Sequence, residues 1–199
     1  MDVKPVALLT TLTRDFDRIS MHGVRRGLLE LQAAAIGLPL DLVWIEKGTS
    51  NQEYEEQMRS ALERRRREGI RRVIFGDLFL EDVRRYREER LAQIGMEGLF
   101  PLWGKPTADL AASFIGEGFK AILCCVDPKA LGKEFCGRRF DRALIRDLPP
   151  EVDPCGENGE FHTFVYDGPI FHHGLELKVG ETVLRDGFYF TDLAAVGFG

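Results

Sequence analysis

Apolar positions along this chain follow two periods, and the periods alternate. Val6-Ala7-Leu8-Leu9-Thr10-Thr11-Leu12 is continuous and rich in β-formers, the pattern of a strand covered on both faces. Val24, Leu28, Leu31 and Ala35 recur at helical spacing, Gly37-Leu38-Pro39 ends that helix, and Leu40–Ile45 is a second buried strand. Ser50-Asn51-Gln52-Glu53 fits a capping box, opening a helix with Tyr54, Met58, Ala61 and Leu62 inward and Gly69 as its stop. Arg72–Phe75 predicts a third strand, ending at Gly76-Asp77. A charged helix follows through about Ile94, then Leu99–Trp103, a helix from Thr107 to about Glu117, and the apolar strand Phe119–Val126. Strand and helix alternating at about 30-residue intervals predict a parallel sheet wound with helices. After Pro149-Pro150 the texture changes. Glu160–Asp167, Ile170–Val179 and Thr182–Asp192 read as strands, with a turn signal at Arg185-Asp186-Gly187. The expected architecture is α/β: a parallel body over residues 1–126 and a smaller unit with antiparallel strands over 127–199.

Composition narrows the classes. With 199 residues, 44% of them hydrophobic and 30% charged, the chain can bury a real core and is not intrinsically disordered. No apolar run spans a bilayer, and the N-terminus lacks a secretory pattern, so a cytoplasmic protein without a membrane partner is expected. The net charge is −5. Residues 1–120 hold 19 basic and 19 acidic groups, and residues 121–199 hold 8 and 13. A general nucleic-acid binder would carry a basic excess, so no nucleic-acid partner is expected. Cys124, Cys125, Cys136 and Cys155 form no CxxC pair and read as reduced thiols.

Open parallel sheets bind ligands beyond the carboxyl ends of their strands. Three such ends draw attention here: Thr10-Thr11, leading to Met21-His22-Gly23-Val24; Gly76-Asp77-Leu78; and Asp127-Pro128. Asp77 suits polar ligand work, or equally a helix N-cap. The densest cluster is Asp153-Pro154-Cys155-Gly156-Glu157-Asn158-Gly159-Glu160-Phe161-His162-Thr163. It sets two carboxylates, a thiol and an imidazole on a glycine-punctuated turn entering a strand, where Glu160 and His162 share a face. Its spacing is not that of a metal site, and a turn with solvated acids is the plain alternative. The arginines from Arg64 to Arg67 read as the wet face of a helix, neutralised by Glu63 and Glu68. His172 and His173 fall in a predicted strand and point to opposite faces. Trp44, Trp103 and Cys125 read as core.

Four stretches together carry a resemblance: Met21–Val24, Phe75–Arg84, Pro101-Leu102-Trp103-Gly104 and Asp153–Thr163. They occur in this order in the diphthine–ammonia ligase family of PP-loop ATP pyrophosphatases, and Gly156–Thr163 is the most specific of them. The likeness runs from about Val6 to Leu193. It implies a Rossmann-like domain of the adenine-nucleotide α-hydrolase type, followed by a small C-terminal substrate domain. It also implies an ATP- and Mg²⁺-dependent ligase. A carboxylate is adenylated with loss of pyrophosphate, and ammonia then displaces AMP. The carboxylate is that of diphthine on elongation factor 2, or a small carboxylic acid.

By the same resemblance, Thr10, Thr11, His22, Gly23, Gly76 and Asp77 border the nucleotide. Glu157, Glu160 and His162 handle ammonia and protons, and Cys155, Gly156 and Gly159 line the substrate pocket. On this reading Glu160→Gln should leave the fold nearly unchanged while amidation falls. One departure stands out. The family's Ser-Gly-Gly-Lys-Asp-Ser loop, whose amides cradle phosphates, is not among these 199 residues. Two accounts follow: the sequence starts downstream of that loop, or it is a member without ATP chemistry that binds a nucleotide or small acid. An interaction protein is a third reading. On either account the chain by itself should bind ATP weakly and, lacking a central strand, should be marginally stable or form a homo-oligomer.

Overall fold

The computed structural model describes residues 3–197, so Met1, Asp2, Phe198 and Gly199 of the two expected units lie outside the described residues. It is a mixed α/β protein with parallel and antiparallel sheets. Strand β1 (Leu8–Thr13) pairs in parallel with β3 (Leu40–Ile45), and the short β2 (Arg18–Ile19) folds back on the end of β1. The connecting helix α1 (Arg26–Ile36) ends at Gly37, whose left-handed φ of 79° lets its amide reach back to Ala33. Helix α2 (Asn51–Arg67) starts with the expected capping box: the Ser50 hydroxyl accepts from the Glu53 amide, and the Glu53 carboxylate accepts from the Ser50 amide. A second parallel pair, β4 (Arg72–Ile74) and β5 (Glu97–Leu99), brackets α3 (Glu81–Gln93). Among the described residues no ladder joins this pair to β1–β3.

The larger sheet is antiparallel. Strands β6 (Lys120–Val126), β7 (Phe161–Asp167), β8 (Leu177–Arg185) and β9 (Phe188–Ala195) lie in the order β7-β6-β9-β8. Both faces of β6 are covered. Ile122 and Cys124 pack with Phe164, Leu193 and Val24 and Leu28, at the start of α1. Ala121 and Leu123 meet Ala111 of α4 (Thr107–Gly116) and Leu144 of α5 (Arg142–Asp147). A chain segment from the N-terminal half therefore covers one face of the C-terminal sheet.

Several expectations are corrected. Phe119–Val126 is not the last strand of a parallel series: it pairs antiparallel with β7 and β9. Ile170–Glu176 is loop rather than strand, and the turn at Arg185-Asp186-Gly187 sits inside a β8–β9 hairpin. Strand β5 ends at Leu99, and Pro101–Gly104 is a turn. His172 and His173 lie in a bend, where the His172 amide donates to Ala35. Trp44 is only half-buried, flanked by the guanidinium groups of Arg14 and Arg26 at 5.4 and 5.9 Å. The arginine run is the expected wet face: Arg65 pairs with Asp41 and Glu68, and Arg67 lies 4.0 Å from Glu63. All four cysteines are unpaired. Among the described residues no helix is long and apolar enough to cross a membrane.

Candidate functional site

Two consecutive turns shape the segment before β7. The Asp153 carboxylate accepts from the amides of Cys155 (2.9 Å) and Glu157 (3.2 Å), an Asx-type turn. Gly156 and Gly159 take left-handed φ values of 71° and 86°. Glu160, only 8% exposed, sits beneath this loop. One of its oxygens accepts from the Asp153 amide (3.0 Å) and the Asn158 side chain (2.9 Å); the other accepts from the Asn158 amide (3.0 Å). Burial raises the Glu160 pKa, but these donors outweigh it and hold the carboxyl below its usual range.

With Glu160 holding the loop from inside, Glu157 projects outward and crosses to the other half of the chain. Its carboxylate accepts from the Leu78 amide at 2.6 Å. The carbonyl of the same Leu78 accepts from Gly104 at 2.8 Å. The Gly76-Asp77-Leu78 loop, the Pro101–Gly104 turn and the Asp153–Thr163 segment thus meet on one peptide unit. The fourth stretch arrives through its imidazole: the rings of His22 and His162 lie 4.5 Å apart, tilted by 31°. His22, Cys155, Gly156, Glu157, Gly159 and His162 all line a cavity of about 280 Å³.

The remaining candidates are placed elsewhere. Thr10 and Thr11 lie within β1, opposite Leu42 and Val43, and do not border this cavity. Gly23 turns toward Phe190 at the rim of a larger cavity of about 720 Å³. Gly76 borders an adjoining cavity of about 400 Å³. Asp77 is ion-paired with Arg87: its Oδ1 accepts from Nη2 at 3.1 Å, while Oδ2 lies 2.8 Å from Nε at an angle too oblique for a hydrogen bond. It caps no helix, since α3 begins at Glu81 without a side-chain cap. Among the described residues no group of three or more His, Cys, Asp or Glu side chains is arranged to hold a metal ion. The chain therefore builds no protein cage for Mg²⁺, and no step is routed through one. Sequence reasoning missed the Leu78 amide, the point where the segments meet, because a backbone donor leaves no side-chain signal.

Burial sets the charge state here. It lowers the His162 pKa to about 4, helped by the neighbouring His22, and lowers that of His22 against a hydrogen bond to the Ser20 carbonyl. It raises the Cys155 thiol to about 11, which makes a thiolate nucleophile unfavourable. Both imidazoles are neutral at pH 7. A depressed folded-state pKa gives stability that is full above the unfolded value of 6.5 and is lost as pH falls toward 4. The fold is expected to lose roughly 2 kcal/mol between pH 7 and pH 5 through His162. Urea unfolding at the two pH values checks this, and His162→Gln should remove that share of the difference.

Comparison with known proteins now bears on the site. Residues 106–194, from α4 through β9, match the family described as Diphthamide synthase C-terminal domain. Over more of the chain, the diphthine–ammonia ligase of Danio rerio is 29% identical across 203 residues, covering 92% of this chain and 77% of that protein. The enzyme of Schizosaccharomyces pombe is 31% identical over 109 residues, 52% of this chain. That of Rattus norvegicus is 30% identical over 122 residues, 58% of this chain. The chain spans only 18% and 45% of those two relatives. The resemblance read from the four stretches stands: this chain is similar to diphthine–ammonia ligases.

Proposed function

We propose that this chain carries the amide-forming site of an ATP-dependent carboxylate–ammonia ligase in diphthamide synthesis, on a Rossmann-like N-terminal body. The carrying observation is the junction at Leu78. There Glu157, from the segment with the most specific motif, meets the end of β4, where a parallel α/β unit presents its ligands. The reaction balances simply. A carboxylate oxygen of diphthine attacks the α-phosphorus of ATP and pyrophosphate leaves. The ammonia nitrogen then bonds to the acyl carbon, the bond to AMP breaks, and one proton is shed. Glu157 accepts that proton. Its second oxygen has no hydrogen-bond donor within the protein, and its first is held in place by Leu78. His22 and His162, kept neutral by burial, add no positive charge that would repel ammonium on its way in. Glu160 serves as a positioning residue, and Cys155 as a neutral wall.

The test is ATP–pyrophosphate exchange and amide formation with diphthine-bearing elongation factor 2 and ammonium, read by mass spectrometry. Glu157→Gln keeps an oxygen for the Leu78 amide and removes the proton acceptor. Amidation should fall about 10²-fold with exchange and melting temperature nearly unchanged. Full amidation in this variant would refute the role. Since the phosphate-cradling loop of the family is not among these residues, a second reading is a non-catalytic module. Acid or nucleotide binding without turnover would favour it.

A further inference from the structure

The cavity of about 400 Å³ beside the candidate centre shares Cys155, Glu157 and Thr163 with it. The rest of its wall has two characters. One side is aromatic: Phe114 stacks on Phe119 with ring centres 4.9 Å apart, and Phe140 meets Phe114 edge-on at 5.5 Å. The other side carries a single ammonium, Lys105, together with the carboxylates of Glu117 and Glu157. Both carboxylates already accept hydrogen bonds, Glu117 from Ser113 at 3.0 Å and Glu157 from Leu78 at 2.6 Å. Among the described residues Lys105 makes no ion pair with either, so its charge is open to an anion.

These features select a ligand. An anion satisfies Lys105. A primary ammonium would demand up to three acceptors, which rings and occupied carboxylates supply poorly. A fully alkylated ammonium donates no hydrogen bond and is attracted by aromatic faces and nearby negative charge alone. The larger cavity under the β8–β9 hairpin is also aromatic, but its Phe16 ring is already faced by Lys47 and Arg185 at 5.5 and 5.7 Å. We propose that the cavity between α4 and the Gly76–Leu78 loop receives a zwitterion whose carboxylate neighbours a trimethylated ammonium, with Lys105 as the anion partner and Phe114 in the cationic wall. The proposal rests on the ligase reading, since the modified arm of diphthine belongs to this class. It adds a subsite that fixes which carboxylate is presented to Glu157.

Trimethylglycine is the probe, with glycine as the control that keeps the carboxylate and loses the methyl groups. Calorimetric titration of the full chain should show trimethylglycine binding at least about 10-fold tighter than glycine. Lys105→Met, at an exposed position that does not threaten folding, should weaken it about 10-fold. Phe114→Leu should weaken it by about 3- to 10-fold. In the amidation assay both variants should raise KM for the acid more than they lower kcat. Equal binding of glycine and trimethylglycine, or trimethylglycine binding untouched by Lys105→Met, overturns the subsite. Trimethylglycine binding that depends on Lys105 in a protein with no exchange activity supports the subsite and removes the ligase reading. Amidation with unchanged KM in both variants supports the ligase and removes the subsite.

Discussion

Gly156→Ala is expected to cost about 3–5 kcal/mol, whereas Gly159→Ala, three residues along the same loop, should cost about 1 kcal/mol. Both glycines have positive φ, so both substitutions incur the strain of a left-handed alanine. Only Gly156 also lacks room. A β-carbon there would lie 2.8 Å from the Phe161 carbonyl oxygen and 3.1 Å from its ring, while at Gly159 it would meet nothing within 4 Å. The Phe161 backbone cannot yield cheaply. It pairs with Val126 in the β6–β7 ladder, and its ring is 2% exposed in the cluster with Phe140 and Leu144. For a chain of this size each kcal/mol shifts the melting temperature by about 2–4 °C. Thermal unfolding should therefore separate the two variants by several degrees. Equal effects would show that the loop, not Phe161, moves to make room.

The same packing shows how far the sequence could be read. Elements with one wet face were legible, because their period or caps are written in side chains. The Ser50–Glu53 box and the Arg64–Arg67 face are examples. Strand β6 was legible as a strand but not in its pairing. A run buried on both faces has no polar period, and such a run serves a parallel or an antiparallel sheet equally well. What decides its partners is the chain 40 to 70 residues later, where β7 and β9 pass on either side. Of the site, the segments that meet were legible, since each holds unusual residues. The division of labour between the two glutamates was not. Glu157 and Glu160 are three residues apart in one acidic turn, and only the folding of Asp153 and Asn158 over Glu160 turns one inward and leaves the other facing the cavity.

That division gives the sharpest contrast between two nearly isosteric substitutions. The sequence suggests that Glu160→Gln is silent for folding. The structure implies a loss of about 2–3 kcal/mol, the scale of a buried charge-assisted hydrogen bond removed with its donor left behind. Both Glu160 oxygens accept from N–H groups: Oε1 from the Asp153 amide and the Asn158 side chain, Oε2 from the Asn158 amide. A carboxamide has one oxygen, so either orientation brings its NH₂ against an N–H donor at about 3 Å. The loop must then open, and Glu157 loses its register with Leu78. Amidation should fall in step with stability and recover partly on cooling, as a positioning role requires. The wild-type loop should weaken in the same way in acid. The Glu160 pKa is held low in the fold, so its stabilisation is present above the unfolded carboxyl range and is lost as pH drops through the folded value. Glu160→Gln should flatten that part of the acid limb, which urea titrations from pH 6 to pH 3 would show. A variant that melts like the wild type yet amidates about 10²-fold more slowly would return Glu160 to direct proton transfer.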